Sequence, residues 1–186
     1  MRLSLLVALL VLGNCLIVSG QDKPPGGSKF SVGEGALTFT APANWTSKPP
    51  ANRIVEVEFA IPPAKGDETA GRLTAMGASG TVEQNVDRWI GQFVGPGGSA
   101  VKPQRDKTTV SGCTVEIVDL AGTYKDTPGG PFAGAKPVMR DNYRMLGAII
   151  QTKDQGNYFL KLYGPKATID ENEKGFQDMV KSLKVK

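Results

Sequence analysis

The sequence has no histidine in its 186 residues. That removes Ser-His-Asp and Cys-His catalysis, and with them the usual general base near neutral pH. Cysteine is almost as scarce, with Cys15 and Cys113 the only two, so a zinc site has too few ligands. Beyond the N-terminal segment Cys113 stands alone, which leaves no intrachain disulfide to expect in a processed chain. Within the apolar run Cys113-Thr-Val-Glu-Ile-Val118 it reads as a buried small hydrophobe. Charge of one sign is also lacking: 22 Lys+Arg stand against 18 Asp+Glu, and the lysines are scattered except for Lys181, Lys184 and Lys186 at the tip. Without a basic stripe and interleaved aromatics, nucleic acid is not an expected partner.

Three patterns fall short of known chemistry. Gly95-Pro-Gly97-Gly98-Ser99 lacks the Gly-Lys-Ser/Thr ending of a phosphate loop and follows a helical pattern where such a loop precedes one, so it reads as a helix stop. Asp170, Glu171 and Glu173 have no calcium-loop spacing and read as acids at a positive helix end. Glu56 and Glu58 lie two apart on one strand face, where neighbouring carboxylates meet water rather than flank a cleft as glycosidase acids do. No cofactor, no metal and no enzyme activity are expected.

The first residues are distinctive. Arg2 followed by the apolar run Leu3–Leu12, with small residues around Gly20, has the plan of a secretory signal, predicting 1–20 as a signal peptide cut before Gln21. Gly13, Asn14 and Cys15 interrupt the run, leaving it short of the roughly 20 apolar residues of a spanning helix. Leu12-Gly13-Asn14-Cys15 also resembles a bacterial lipoprotein box with Cys15 as the lipid carrier, although Asn14 stands where a small residue is usual. The expected location is therefore periplasmic or secreted, with a lipid anchor at Cys15 as the alternative. Residues 21–29, with Lys23-Pro24-Pro25-Gly26-Gly27, have flexible-linker composition. Residues 30–186 are of a length for one domain.

Within that domain, 36–41, 53–61 and 71–79 read as strands, the second from the alternation of Val55, Val57 and Phe59 with Glu56 and Glu58. Thr81 and Gln84 have capping-box spacing. Val82, Val86, Trp89, Ile90 and Phe93 then form one helical apolar face running towards Gly95-Pro96. Strands follow at 107–110 and 113–124, the latter apolar in both alternations and thus expected to be covered on both faces. Residues 125–141 are rich in Gly and Pro and read as a long loop. Strands at 145–152 and 158–163 flank the hairpin signal Asp154-Gln155-Gly156-Asn157. A second capping box at Thr168 and Glu171 opens a helix with Ile169, Phe176, Met179, Val180 and Leu183 on one face. The order predicts an α+β fold: an antiparallel sheet of about six to seven strands with helices on both faces, an α/β/α sandwich.

Three stretches, Phe39-Thr-Ala-Pro42-Ala-Asn-Trp45, Asn85-Val-Asp-Arg88-Trp89-Ile-Gly-Gln92-Phe93 and Val118-Asp119-Leu-Ala-Gly122-Thr-Tyr124, sit at the first strand, first helix and central strand. With this element order, the chain resembles the PsbP-like sandwich, also adopted by the Mog family of Ran-binding proteins and by small exported bacterial proteins. The resemblance implies an assembly factor or binding module, without fixing a role.

Two residue groups stand out as a candidate binding surface. Asn85, Arg88 and Gln92 form a polar rim beside Trp89, and Asp119 shares an alternation with Val115 and Ile117, so that burial would require a partner, Arg88 or Arg144. The expected function is a non-catalytic extracytoplasmic binding or assembly module for an envelope protein, acting as a monomer through the sheet edge, the Arg88 helix or the 125–141 loop. The alternative is a small-ligand carrier whose pocket between sheet and helix is lined by Trp45, Trp89 and Phe132.

Overall fold

A computed structural model describes residues 26–127 and 134–186. The chain opens with β1 (Ser28–Val32), β2 (Leu37–Ala41), β3 (Thr46–Lys48), β4 (Val57–Ile61) and β5 (Gly71–Ala78). Helix α1 (Val82–Ile90) follows, then β6 (Phe93–Val94), a short 3-10 turn (Pro96–Gly98), β7 (Gln104–Val110) and β8 (Cys113–Asp126). The chain closes with β9 (Val138–Gln151), β10 (Asn157–Pro165), helix α2 (Lys166–Lys181) and β11 (Lys184–Val185). Eight strands form one antiparallel sheet in the order β3-β4-β5-β10-β9-β8-β6, with β7 also on β8. A separate three-stranded sheet runs β1-β2-β11.

Both faces of the large sheet are buried because its inner strands alternate two apolar sets. Leu146, Ala148 and Ile150 of β9, with Leu160 and Leu162 of β10, join a core with Ile169, Phe176, Met179 and Val180 of α2 and with Leu37 and Phe39 of the small sheet. Met145 and Ile149 of β9, with Phe159 of β10 and Val118 and Leu120 of β8, join a second core with Val86 and Trp89 of α1. Strand β8 feeds both cores, as its double alternation predicts. On β9, Gly147 lies under Trp89, and a Cβ there would overlap the indole ring.

The α1 capping box forms as read: Thr81 Oγ1 accepts from Gln84 N at 3.2 Å, and Gln84 Oε1 accepts from Thr81 N at 2.9 Å. Several expectations are corrected. The sheet has eight strands rather than six to seven, and the small sheet is additional. Strand β1 starts at Ser28, inside the segment assigned to the linker, because Phe30 and Val32 pair with Phe39 and Leu37. Helix α1 stops at Ile90, so Phe93 is a strand residue paired with Tyr124 rather than part of the helical face. The expected strand at 53–61 begins only at Val57. Strands β8 and β9 continue to Asp126 and from Val138, so most of the residues read as a loop at 125–141 outside 127–137 are paired. The second capping box is absent: α2 is helical from Lys166, and the Thr168 hydroxyl donates to Asp67 Oδ2 (2.6 Å) and accepts from Ala64 N (3.0 Å). The segment 1–20 with Cys15, and Phe132, lie outside the described residues.

Candidate functional site

The residues singled out from sequence separate onto the two faces of the sheet. Asn85 is 3% exposed, and its Nδ2 donates to the Thr81 carbonyl at 2.8 Å, tying the first turn of α1 together. Its Oδ1 accepts from Arg88 Nη1 at 3.1 Å. Trp89 is 6% exposed and meets Phe159 edge-on, 6.0 Å between ring centroids. The expected rim therefore reduces to Arg88, with Asn85 and Trp89 inside the protein. Trp45 lies in the core under α2, donating to Asn172 Oδ1 at 2.8 Å, while Trp89 lies in the core under α1. The two indoles thus cannot line one pocket.

Gln92, just past α1, leads to a group that sequence reasoning missed. Its Oε1 accepts from Lys161 Nζ, on a side chain that β10 projects towards the α1 face. Lys161 is 8% exposed, with its ammonium 4.5 Å from the Tyr163 ring centroid and 5.0 Å from that of Tyr124. Tyr143 stacks on Tyr124 at 5.9 Å. Arg72 Nη1 donates to Tyr163 Oη at 2.8 Å, and its Nε and Nη2 make a two-point pair with Glu58 at 2.9 and 2.7 Å. Glu58 is thereby a paired carboxylate, unlike the solvated residue expected from its strand position. Burial first, and then the Arg72 charge, push the Lys161 amine down to about 7, opposed in part by Asp126. The tyrosine faces also favour the charged form. The signal was present in the sequence: Lys161 interrupts Tyr158–Tyr163, on a strand whose two faces are both apolar.

Asp119 stands on the opposite face, and Arg144 rather than Arg88 is its partner. Arg144 Nε and Nη2 reach Asp119 at 3.1 and 2.7 Å, and Nη1 reaches Asp170 and Glu173 of α2 at 2.8 Å each. The hydrogen bonds to Asp119 come first among the causes that hold the guanidinium firmly charged. The cluster joins β8, β9 and α2, and Asp170 and Glu173 act within it rather than at a helix N-terminus. From there a groove of about 440 Å³ runs between the flank of α2 and the sheet. Buried Leu146, Phe176 and Val180 form its floor, half-buried Val110 and Ile117 supply apolar surface, and Thr108, Asp106, Gln177, Arg105 and Lys181 supply polar and charged groups. Its residues come from elements far apart in the chain, so no local pattern announces it.

The sequence matches no protein-family model, and no curated protein matches it. Solved structures do match. The cyanobacterial PsbP (CyanoP) of Synechocystis sp. PCC 6803 aligns with a TM-score of 0.54 at 12% identity, covering 94% of this chain and 99% of that one. The chain has the PsbP-like fold. LpqN of Mycobacterium tuberculosis, involved in cell envelope biogenesis, aligns with a TM-score of 0.51 at 11% identity, covering 88% of this chain and 87% of its own. The yeast Ran-binding protein Mog1p aligns at 0.49 and 11% identity over 85% of this chain and 94% of its own. At such identities the PsbP-like fold is what is shared, and a fold hosts many roles.

Proposed function

We propose that this chain is a non-catalytic binding module working outside the cytoplasm, which receives part of an envelope protein in the groove beside α2. The observation that carries the reading is that groove, with apolar surface from Val110 and Ile117 over a floor of Leu146, Phe176 and Val180, edged by polar groups. Apolar surface with a few convergent polar groups is the common make-up of a binding site. The absence of histidine and the secretory plan of residues 1–20 favour an exported, non-catalytic role. LpqN, which has the same fold, gives the envelope its place in the reading.

Thr108 is exposed on β7 and lines the groove, so Thr108→Arg fills it without touching either core. The parent chain and Arg88→Ala are expected to retain the same proteins from an envelope extract, and Thr108→Arg to lose them. Equal recovery on Thr108→Arg overturns the groove as the binding surface. A small-ligand carrier is the second reading, favoured by a groove volume inside the roughly 300–1,000 Å³ range of ligand sites. Neither tryptophan lines the groove, so shifts of the Ile117 and Phe176 resonances in a metabolite screen are the measurement for that reading.

A further inference from the structure

Strand β7 borders the groove and has an open side. The β7–β8 hairpin turns on Ser111 and Gly112, with φ of 50° and 78°, the conformation of a two-residue type I′ turn. In such a hairpin Val110 and Cys113 bond each other, and bonding then alternates along the pair. Gln104, Asp106, Thr108 and Val110 therefore spend their backbone groups on β8, while Arg105, Lys107 and Thr109 turn theirs outward. The register runs unbroken from Gln104 opposite Asp119 to Val110 opposite Cys113. Among the described residues β7 pairs with β8 alone. One outward group is occupied, the Lys107 N–H, which reaches its neighbour Asp106 Oδ1 at 2.9 Å.

An open edge is normally guarded by proline, a bulge, or charge standing beside it. Strand β7 contains no proline, and no register shift interrupts its pairing with β8. Its two cations are engaged on the α1 side: Arg105 Nη1 and Nη2 meet Glu83 at 2.7 and 2.6 Å, Arg105 Nε meets the buried Glu116 at 2.5 Å, and Lys107 Nζ lies 3.4 Å from Glu116. Arg105 is thus held by two carboxylates, and Lys107, still exposed, is the one cation that β7 leaves beside the edge. The alternate residues Gln104, Asp106 and Thr108 line the groove, and Asp106 has no cation in salt-bridge contact among the described residues.

We infer that the partner enters as an extended polypeptide strand that adds to the outer side of β7, with a lysine or arginine facing Asp106. The inference rests on the groove reading above and sharpens it. The outward groups of Arg105 and Thr109 and the Lys107 carbonyl provide the ladder, which the Lys107 N–H joins once Asp106 turns from it to the partner's cation, and every second side chain of the added strand stands at the groove mouth. At about 3.3 Å per residue, the seven residues of β7 can pair a segment about 23 Å long.

The test uses the chain from Gln21 onward and a fluorescein-labelled peptide about nine residues long, alternating valine and threonine with lysine at its centre and ends. A second peptide has the same side chains with every backbone nitrogen methylated. Saturable binding by anisotropy is expected for the first, with a loss of about tenfold or more on methylation and on Thr109→Pro, which removes an outward N–H without touching the β8 ladder. Asp106→Lys keeps the backbone intact, should the proline disturb it. It is expected to weaken the lysine peptide and to improve binding of a glutamate-centred one. No saturable binding by the parent, or unchanged binding by Thr109→Pro and by the methylated peptide, overturns the strand. If unchanged Thr109→Pro binding is accompanied by loss on Thr108→Arg, the groove reading survives without it; if neither substitution matters, both fall. A concentration-dependent dimer that Thr109→Pro dissolves assigns the edge to a second copy and also overturns the proposal.

Discussion

At the scale of single residues, Lys161 carries the clearest physical consequence. A cationic side chain has been taken into the protein with neutral acceptors, Gln92 and Tyr124, and no carboxylate in contact among the described residues. The groups around it are Arg72 of β5, Glu58 of β4, Tyr143 of β9, Tyr163 of β10, and Tyr124 and Asp126 of β8. Burial and Arg72 bring the amine from 10.5 to about 7. Above about pH 7 the native state gives up the proton, whereas the unfolded chain holds it until about 10.5, so the unfolded state binds more protons across that window. Stability should therefore rise with pH from about 7 upward. Measurement is best stopped near pH 9, because burial raises the Tyr124 phenol above its ordinary 10.0, and ionisation of the unfolded chain then pulls the other way. Urea midpoints at constant ionic strength should climb between these limits. Lys161→Met should flatten the climb, and Gln92→Glu should shrink it by giving the ammonium a carboxylate. A parent chain whose midpoint is level from pH 7 to 9 contradicts this account.

At the scale of elements, α1 shows what local sequence can and cannot specify. Nine residues give a helix about 14 Å long, too short to persist alone, so its place depends on tertiary contacts. Trp89 over Gly147 is one of these, and Glu83 to Arg105 is another. Gly147→Ala puts a methyl into the indole and must lift the helix. The expected cost is about 1–3 kcal/mol, with Trp89 emission moving to the red. Thr81→Ala should cost about 1 kcal/mol through loss of the cap, with no such spectral change. Trp45→Phe removes the other indole so that the shift can be assigned, and unchanged emission in the Gly147→Ala, Trp45→Phe double variant contradicts the packing described.

The Thr81 box was legible because capping is settled within one turn. The same spacing at Thr168 and Glu171 misleads because the distant Asp67 and Ala64 claim the hydroxyl. Phe93 fits the helical spacing, but Gly91 ends the helix and Tyr124 draws Phe93 into the sheet.

At the scale of the whole molecule, the periodicity of β8 and the two helical faces made a sheet covered on both sides legible. The strand order was not legible, because β5 beside β10 and β2 beside β11 are pairings between segments far apart in the chain. The groove shares that origin: Asp119 stands out by its strand alternation, whereas the surface beside it is assembled from β7, β8, β9 and α2. The same topology ranks local stability. The Met145–Ile150 stretch of β9 is buried without interruption, and it is paired on both sides, by β8 and β10. Strand β7 is paired on one side and exposed along nearly its full length. Amides that open only with global unfolding should therefore lie in the centres of β9 and β10, and the outward amides of Arg105 and Thr109 should exchange among the fastest of any strand. The inward amides of Gln104, Asp106 and Thr108 should exchange more slowly than their neighbours. Site-resolved exchange by NMR gives this alternation directly. If the strand peptide binds as inferred, Arg105, Lys107 and Thr109 become protected while the inward set barely changes. Uniform protection of both sets in the free chain means that something already covers the edge, and leaves no open side on β7 for a partner strand.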